Sequence, residues 1–195
     1  ALDARVDLGR AVDRDHDAVA LAVKTVVRRK PKCIVFAEGE EPSVIRAAYA
    51  FRELGLGNPV LVGREETVRA NMAQVGVPEN ADLKIVNARL SEHNGLYADF
   101  LYKRLQRFGF LHRDAQRLVN LDRNVFGACM VALGQAEGMV TGVTRNYATA
   151  LDDVLKVIDP APRERVMGMS VILMKGRTLF ISDTAVAEFP DPPEL

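Results

Sequence analysis

The stretch Asn120–Ile158, NLDRNVFGACMVALGQAEGMVTGVTRNYATALDDVLKVI, decides how the rest of the chain is read. Asp122 is placed as an N-cap, and Val125, Ala128, Cys129, Ala132 and Leu133 recur behind it at helical spacing to form one apolar stripe. Gly134 and Gly138 close that helix, and Met139 to Val143 is too short and too apolar for anything but a buried strand. In a parallel sheet such strands end at a crevice where ligands bind. The helix that follows is expected to bury Tyr147, Leu151, Val154, Leu155 and Ile158, leaving Arg145, Thr149 and Asp152 on the opposite face. Thr141, Gly142, Thr144, Arg145, Asn146 and Thr149 thus collect where the turn meets the second helix. Backbone N–H groups at a helix start, with a cation beside them, suit an anion such as a phosphate-bearing ligand. The rival reading is that these are ordinary capping and solvated residues.

Toward the N-terminus the same grammar repeats. Residues 1–17 are polar and charged and read as an arm or linker. Asp17 to Arg29 follows as a helix with Val19, Ala22, Val23, Val26 and Val27 on one face. Lys32 to Ala37 is a strand that runs into Glu38, Gly39, Glu40, Glu41 and Pro42, and a helix is expected from Ser43 to Leu54. Pro59 to Val62 and Leu83 to Val86 read as strands and Glu65 to Gln74 as a helix. Ser91 to Phe108 reads as a longer helix with Leu96, Tyr97, Phe100, Leu101 and Leu105 inward. Alternation of this kind predicts an α/β fold: a parallel sheet sandwiched by helices over residues 18–155. After the Asp159–Pro160–Ala161–Pro162 break, Val166 to Met174 and Thr178 to Ser182 read as a β-hairpin, so residues 156–195 begin a second α/β subdomain that the chain does not complete.

Composition removes several function classes. Lys plus Arg and Asp plus Glu number 26 each, so the formal charge is zero and no extended nucleic-acid footprint is expected. The cluster Arg28, Arg29, Lys30 and Lys32 is short and reads as a solvated helix end. Cys33 and Cys129 sit in apolar runs as small core residues, and His16, His93 and His112 are scattered, so no metal site is expected. No segment has the length and apolarity of a membrane span, and the Asp- and Arg-rich N-terminus is unlike a secretory signal. A reduced, cytoplasmic setting is expected. Gly39 and the Gly55-Leu-Gly57 turn do not form the glycine pattern of a dinucleotide-binding domain.

AEGEE at 37–41, NVFGACMVALGQAEGMVTG at 124–142 and LFISDTAVAEFP at 179–190 resemble the phosphotransacetylase family, which moves acyl groups between coenzyme A and phosphate. TRNYATALDDVLKVID and the GMS…GRTLFISDT stretch are similar to one branch of it, the phosphotransacetylase-like C-terminal domain of large bacterial NADP-dependent malic enzymes. The resemblance covers residues 18–190 and implies two α/β subdomains with an acyl-CoA cleft between them, assembled as homo-oligomers, usually dimers. It also implies returning C-terminal segments, with residues the true acyltransferases use, that have no counterpart here. The chain is therefore expected to be a fragment that is not catalytic by itself, and no residue is assigned a catalytic role.

Acyltransferases of the family typically follow the glycine after the buried strand with a His and two or three Ser or Thr residues. Val143, Thr144, Arg145 and Asn146 stand there instead, which resembles the malic enzyme branch. In that branch the domain is thought to bind acetyl-CoA, or a related acyl-CoA, as an inhibitor. The resemblance then implies that Arg145 contacts phosphate or the acyl carbonyl, that Asn146 and Thr149 orient it, and that Thr141 lines the floor. Thr144, Glu38 at its strand end, and Asp183 with Thr184 after the second hairpin strand complete the expected ligand set. For Glu38 a charge at a helix start is the rival role, and for Asp183 and Thr184 a turn. NADP and a divalent metal belong, on the same resemblance, to a catalytic malic enzyme domain outside this chain. A catalytic phosphate acetyltransferase and a purely structural dimerisation module are the other two readings.

Overall fold

A computed structural model of the chain describes residues 24–164, 166–174, 177–182 and 186. They fall into two compact units, one of which is Lys30–Asp159. Its sheet has four parallel strands, β1 (Lys32–Phe36), β2 (Gly57–Val62), β3 (Lys84–Val86) and β4 (Gly138–Val140), in the spatial order β3-β2-β1-β4. The chain steps outward from β1 through β2 to β3, then crosses back and adds β4 on the far side of β1. The direction of winding therefore reverses between β1 and β4, and the ends of those two strands bound the crevice where α/β folds commonly take ligands.

The helices are α1 (Pro42–Glu53), α2 (Glu65–Gln74), α3 (Asn94–Leu105), α4 (His112–Leu121), α5 (Arg123–Ala132) and α6 (Tyr147–Leu155), with a single 3₁₀ turn at Gln106–Phe108. Pleating sends alternate residues of each strand to opposite faces. Val35, Val60 and Val62 join Tyr97, Leu101, Val119, Phe126 and Cys129 beneath α3, α4 and α5. Phe36 and Leu61 join Val44, Ile45, Ala48, Val68 and Met72 beneath α1 and α2. Both sheet faces are thus covered, as a parallel sheet requires.

Local chemistry sets the helix ends. Pro42 opens α1, where its missing N–H is not needed. Asp122 caps α5 by accepting from the backbone N–H groups of Asn124 at 2.9 Å and Val125 at 3.2 Å. At the β1–α1 turn the Gly39 N–H donates to the Val62 carbonyl at 3.1 Å, and a Cβ there would stand 2.8 Å from Val62 N. Only a glycine lets this turn lie so close to β2.

Several expectations change. The long helix over Ser91 to Phe108 is shorter, Asn94–Leu105 plus the 3₁₀ turn, and Leu96 is 53 % exposed while Tyr97, Leu101 and Leu105 are buried. The strand expected to reach Val143 ends at Val140, because the next residues turn to bind Glu38. Helix α4 has no counterpart in the sequence reading: of its ten residues only Ala115 and Val119 are buried, too thin an apolar stripe to stand out. Cys129 is buried and Cys33 half-buried, and both are free thiols. Burial pushes the Cys129 thiol up to about 12.

In the other unit residues 24–29 are helical, with Val26 67 % exposed. The expected hairpin is present: β5 (Met169–Met174) and β6 (Arg177–Ser182) pair antiparallel, with Met169 opposite Ser182 and Met174 opposite Arg177. The arm at residues 1–17 lies outside the described residues. Among the described residues no helix is long and apolar enough to cross a membrane, and no cluster of His, Cys, Asp and Glu could hold a metal ion.

Candidate functional site

Glu38 leaves the end of β1 and points across the sheet at the loop that follows β4. Its carboxylate accepts hydrogen bonds from the backbone N–H groups of Gly142 at 2.9 Å, Val143 at 2.6 Å and Thr144 at 2.8 Å, and from the Thr144 hydroxyl. Gly142, with φ of +108°, supplies the left-handed turn that aims three successive amides at one point. Such a concave array of N–H groups is an anion receptor, and here an internal carboxylate fills it. Glu38 is 4 % exposed. Burial alone would push its carboxyl up, but the bonds from Thr144, Val143 and Gly142 outweigh burial and hold it below its ordinary value.

Behind the receptor runs a second set of polar groups. The Thr141 hydroxyl donates to Asn124 Oδ1 at 2.6 Å, and Asn124 Nδ2 donates to Asp153 Oδ2 at 3.3 Å. Asn124 and Asp153 are both buried, so the chain of bonds lies inside the fold. Arg145 Nη1 donates to Asp122 Oδ2 at 2.7 Å and also to Asp153. Lys156 Nζ stands 3.0 Å from both Asp153 Oδ1 and Asp152 Oδ2. Burial acts to raise the Asp153 carboxyl, yet its bonds to Lys156, Asn124 and Arg145 bring it below the ordinary range. The Arg145 guanidinium is raised chiefly by Asp122, with Asp153 adding to it. Beyond α6, Arg104 Nε donates to the Lys156 carbonyl at 2.9 Å and pairs with Asp159, which anchors the helix end.

Six of the eight expected ligand residues, Glu38, Thr141, Thr144, Arg145, Asn146 and Thr149, are thus gathered at the ends of β1 and β4. Asp183 and Thr184 lie outside the described residues. The gathered residues are largely engaged with one another. The amides expected to face an anion are taken by Glu38, and the α6 start is capped by the Asn146 side chain, which accepts from Thr149 N–H at 2.9 Å. Arg145 precedes α6 and folds back onto Asp122 and Asp153, away from the face it was expected to share with Thr149. The buried positions differ too: on α6 Ala150 and Asp153 are most buried, Leu151 and Val154 half-buried, and Tyr147 and Leu155 exposed at 49 % and 37 %, while Val157, buried, and Ile158, half-buried, lie past the helix end. Asp153 must reach Arg145, Lys156 and Asn124, and that rotates the helix away from its most apolar face. Exposed toward solvent at this loop are Val143, Thr144, Asn146, Tyr147 and Thr149.

A second crevice, at the ends of β2 and β3, was not anticipated. Glu40, two residues after Glu38, accepts from Arg64 N–H at 2.9 Å, Nε at 3.1 Å and Nη2 at 3.2 Å. Arg64 holds the Glu40 carboxyl below its ordinary value against the effect of burial. Asn71 Nδ2 donates to the Glu40 carbonyl at 2.7 Å. Alternate residues of the β1–α1 turn therefore serve opposite sides of the sheet.

The sequence profile of the phosphate acetyl/butaryl transferase family matches residues 19–195. The chain belongs to the phosphate acetyl/butaryl transferase family. Within and around that family, the chain is 51 % identical over 191 residues to an NADP-dependent malic enzyme of Rhizobium meliloti, a match covering 96 % of this chain and 25 % of that protein. It is 25 % identical over 169 residues to a phosphate acetyltransferase of Helicobacter pylori, covering 86 % of this chain and 32 % of that one. The chain thus spans about a quarter to a third of the length of these relatives. In three dimensions it matches a phosphotransacetylase from Streptococcus pyogenes with a TM-score of 0.81 and 24 % identity, over 91 % of this chain and 54 % of that one, a likeness of fold.

Proposed function

We propose that this chain is the phosphotransacetylase-like domain of an NADP-dependent malic enzyme, that it binds acetyl-CoA or a related acyl-CoA as an inhibitory ligand, and that it contributes to homo-oligomer formation. The observation that carries the reading is the 51 % identity to a malic enzyme across nearly the whole chain, set beside 25 % to a phosphate acetyltransferase. The site chemistry leans the same way. An acyltransferase needs a group free to handle the attacking or leaving atom, whereas Glu38 and Arg145 are both tied into the fold. What the β4–α6 loop offers a ligand is a fixed edge carrying Thr144, Asn146, Tyr147 and Thr149.

The mechanism is one of linkage. Acetyl-CoA would bind one arrangement of the protein better than another, and that difference in affinity would lower malate oxidation in a catalytic domain outside this chain. NADP and a divalent metal would act in that domain. No nucleic-acid or membrane partner enters the reading, and the two free thiols support a reducing, cytoplasmic compartment.

The test is malate oxidation by the full-length protein with and without acetyl-CoA, run beside an assay for acetyl phosphate. Inhibition without acetyl-phosphate formation is the expected result. No inhibition, with acetyl phosphate made from acetyl-CoA and phosphate, would establish the acyltransferase reading that the family profile also supports. Neither activity, with melting temperature falling on dilution, would leave assembly as the task.

A further inference from the structure

Helix α6 is nine residues long and is held to the fold mainly by charged groups. It packs chiefly on α5, and the apolar side chains it buries are few: Ala150 on the helix and Val157 just past its end. At its start Arg145 reaches back to Asp122, the residue that caps α5, and to Asp153. At its end a second arginine, Arg104 from the last turn of α3, grips the chain. Arg104 Nε donates to the Lys156 carbonyl at 2.9 Å and Nη2 to the Leu155 carbonyl at 3.4 Å, while both Nη groups bond the Asp159 carboxylate. Carbonyls at a helix end lack partners within the helix and face the negative end of its dipole, so a guanidinium is well matched to them.

The two grips are joined. Lys156 Nζ bridges Asp152 and Asp153, and Asp153 is also held by Arg145, so bonds run through Lys156 from the turn before α6 to Arg104 and Asp159. Asp159 is the last residue of the α/β unit, and the chain passes into the other unit at Pro160. Pro160 and Pro162 have fixed φ angles, so the segment just beyond Asp159 has little freedom to absorb a change of direction. Apolar packing has no preferred direction, whereas charge-assisted bonds do. A short helix held by such bonds at both ends therefore shifts as one body.

We propose that α6 is a strut that carries the occupancy of the β4–α6 loop to Asp159, with Arg104 as the positioning residue whose grip makes the transfer. The inference rests on the reading that an acyl-CoA binds at that loop. Glu38 fixes Gly142 to Thr144, so a ligand on Asn146 or Thr149 acts on the first turn of α6. A displacement of that turn reaches Asp159 only if the far end is held, because an unheld last turn frays and dissipates it. The bonds of Arg104 go to Leu155, Lys156 and Asp159, away from the loop, so its loss is felt in coupling and not in affinity.

The experiment measures, in the full-length protein, malate oxidation at saturating acetyl-CoA and the calorimetric affinity for acetyl-CoA, each rate being taken against the same variant without the ligand. Wild type is compared with Arg104→Met, Arg104→Lys and Asp159→Asn. In Arg104→Met and Asp159→Asn inhibition is expected to weaken about fivefold or more, the low end of ordinary coupling, while affinity changes less than about threefold. Arg104→Lys keeps the charge but not the fork, so it should fall between wild type and Arg104→Met. The Asp159 side chain is 70 % exposed, so its variant tests the clamp without risk to the fold. Inhibition unchanged in Arg104→Met and Asp159→Asn overturns the strut and leaves the acetyl-CoA reading standing, and so does inhibition lost in step with affinity. A wild type that acetyl-CoA does not inhibit overturns the reading itself, and the strut with it.

Discussion

The two crevices at the carboxyl edge of this sheet are built from one turn yet end in opposite electrostatic states. At the β1–β4 reversal Glu38 satisfies three amides and a hydroxyl, and Arg145 is shared between Asp122 and Asp153. At the β2–β3 end Glu40 is bonded to Arg64 and feels the charge of Arg123, whose buried Nη1 has no hydrogen-bond acceptor among the described residues. The difference teaches that a polar cluster conspicuous in sequence is not thereby a binding surface. Residues can be polar and close together because folding needs them.

Gly39 separates the two carboxylates, so its replacement strikes both crevices and has the largest expected effect. A Cβ at this position would meet Leu61 Cβ and Val62 N, each at 2.8 Å, and Val62 O at 2.9 Å. Two of these are backbone atoms in the sheet interior that cannot move aside. Gly39→Ala should cost about 3 kcal/mol in urea unfolding. A cost below about 0.5 kcal/mol, within the range of ordinary surface changes, would mean the turn is not clamped against β2 and the two crevices are not coupled through it.

Next comes Glu38→Gln, which keeps the shape and turns an amide donor toward N–H groups that need an acceptor. A loss of about 2 to 3 kcal/mol near neutral pH is expected. The sign of the pH dependence follows from the lowered carboxyl. Stability contributed by Glu38 is complete above its ordinary value of 4.5 and disappears as pH falls through the lower folded-state value. The gap between wild type and Glu38→Gln should therefore be flat from pH 7 to 5 and narrow below 4.5. A gap that persists unchanged to pH 3 would show that the carboxylate charge does not hold the loop.

How much of this was legible in the sequence depends on the distance over which each interaction acts. The parallel sheet follows from alternating short apolar runs and amphipathic helices, and Asp122 is legible as a cap because its partners are two and three residues away. The Glu38 receptor spans 104 to 106 residues, and no local pattern tells a helix-start carboxylate from one that reaches across the sheet. The α6 face was misread because periodicity counts apolar residues, while the buried position went to Asp153, whose partners lie on α5, in the turn before α6 and just after its end. The Glu40–Arg64 contact of the second crevice spans 24 residues, again beyond the reach of a local pattern.

Asp153→Ala tests the network from its buried end and ranks third. It strips Arg145 of one partner, leaves Asn124 Nδ2 without an acceptor and removes one of the two carboxylates beside Lys156. Breaking a buried pair can cost 3–5 kcal/mol, but Arg145 is about a third exposed and keeps Asp122, so roughly 2 kcal/mol is expected. Arg145→Met in the same background should then add little, since the partners already share one network, and the double-mutant cycle measures this. Strict additivity would mean that Asp153 and Arg145 act independently.

The smallest effect belongs to an ion pair that resembles those of the crevices only on paper. Arg69 and Glu65 lie four residues apart on α2, with 2.7 Å between Nη2 and Oε1, yet both side chains are more than half exposed. Water already solvates each charge, so closing the pair exchanges one good environment for another and immobilises two long side chains. Arg69→Ala should change unfolding free energy by no more than about 0.5 kcal/mol, with little change in 0.5 M salt because there is little to screen. The pair has the same length as the Arg145–Asp122 contact, so a loss here as large as that of Asp153→Ala would refute the claim that burial, not geometry, makes the crevice networks structural.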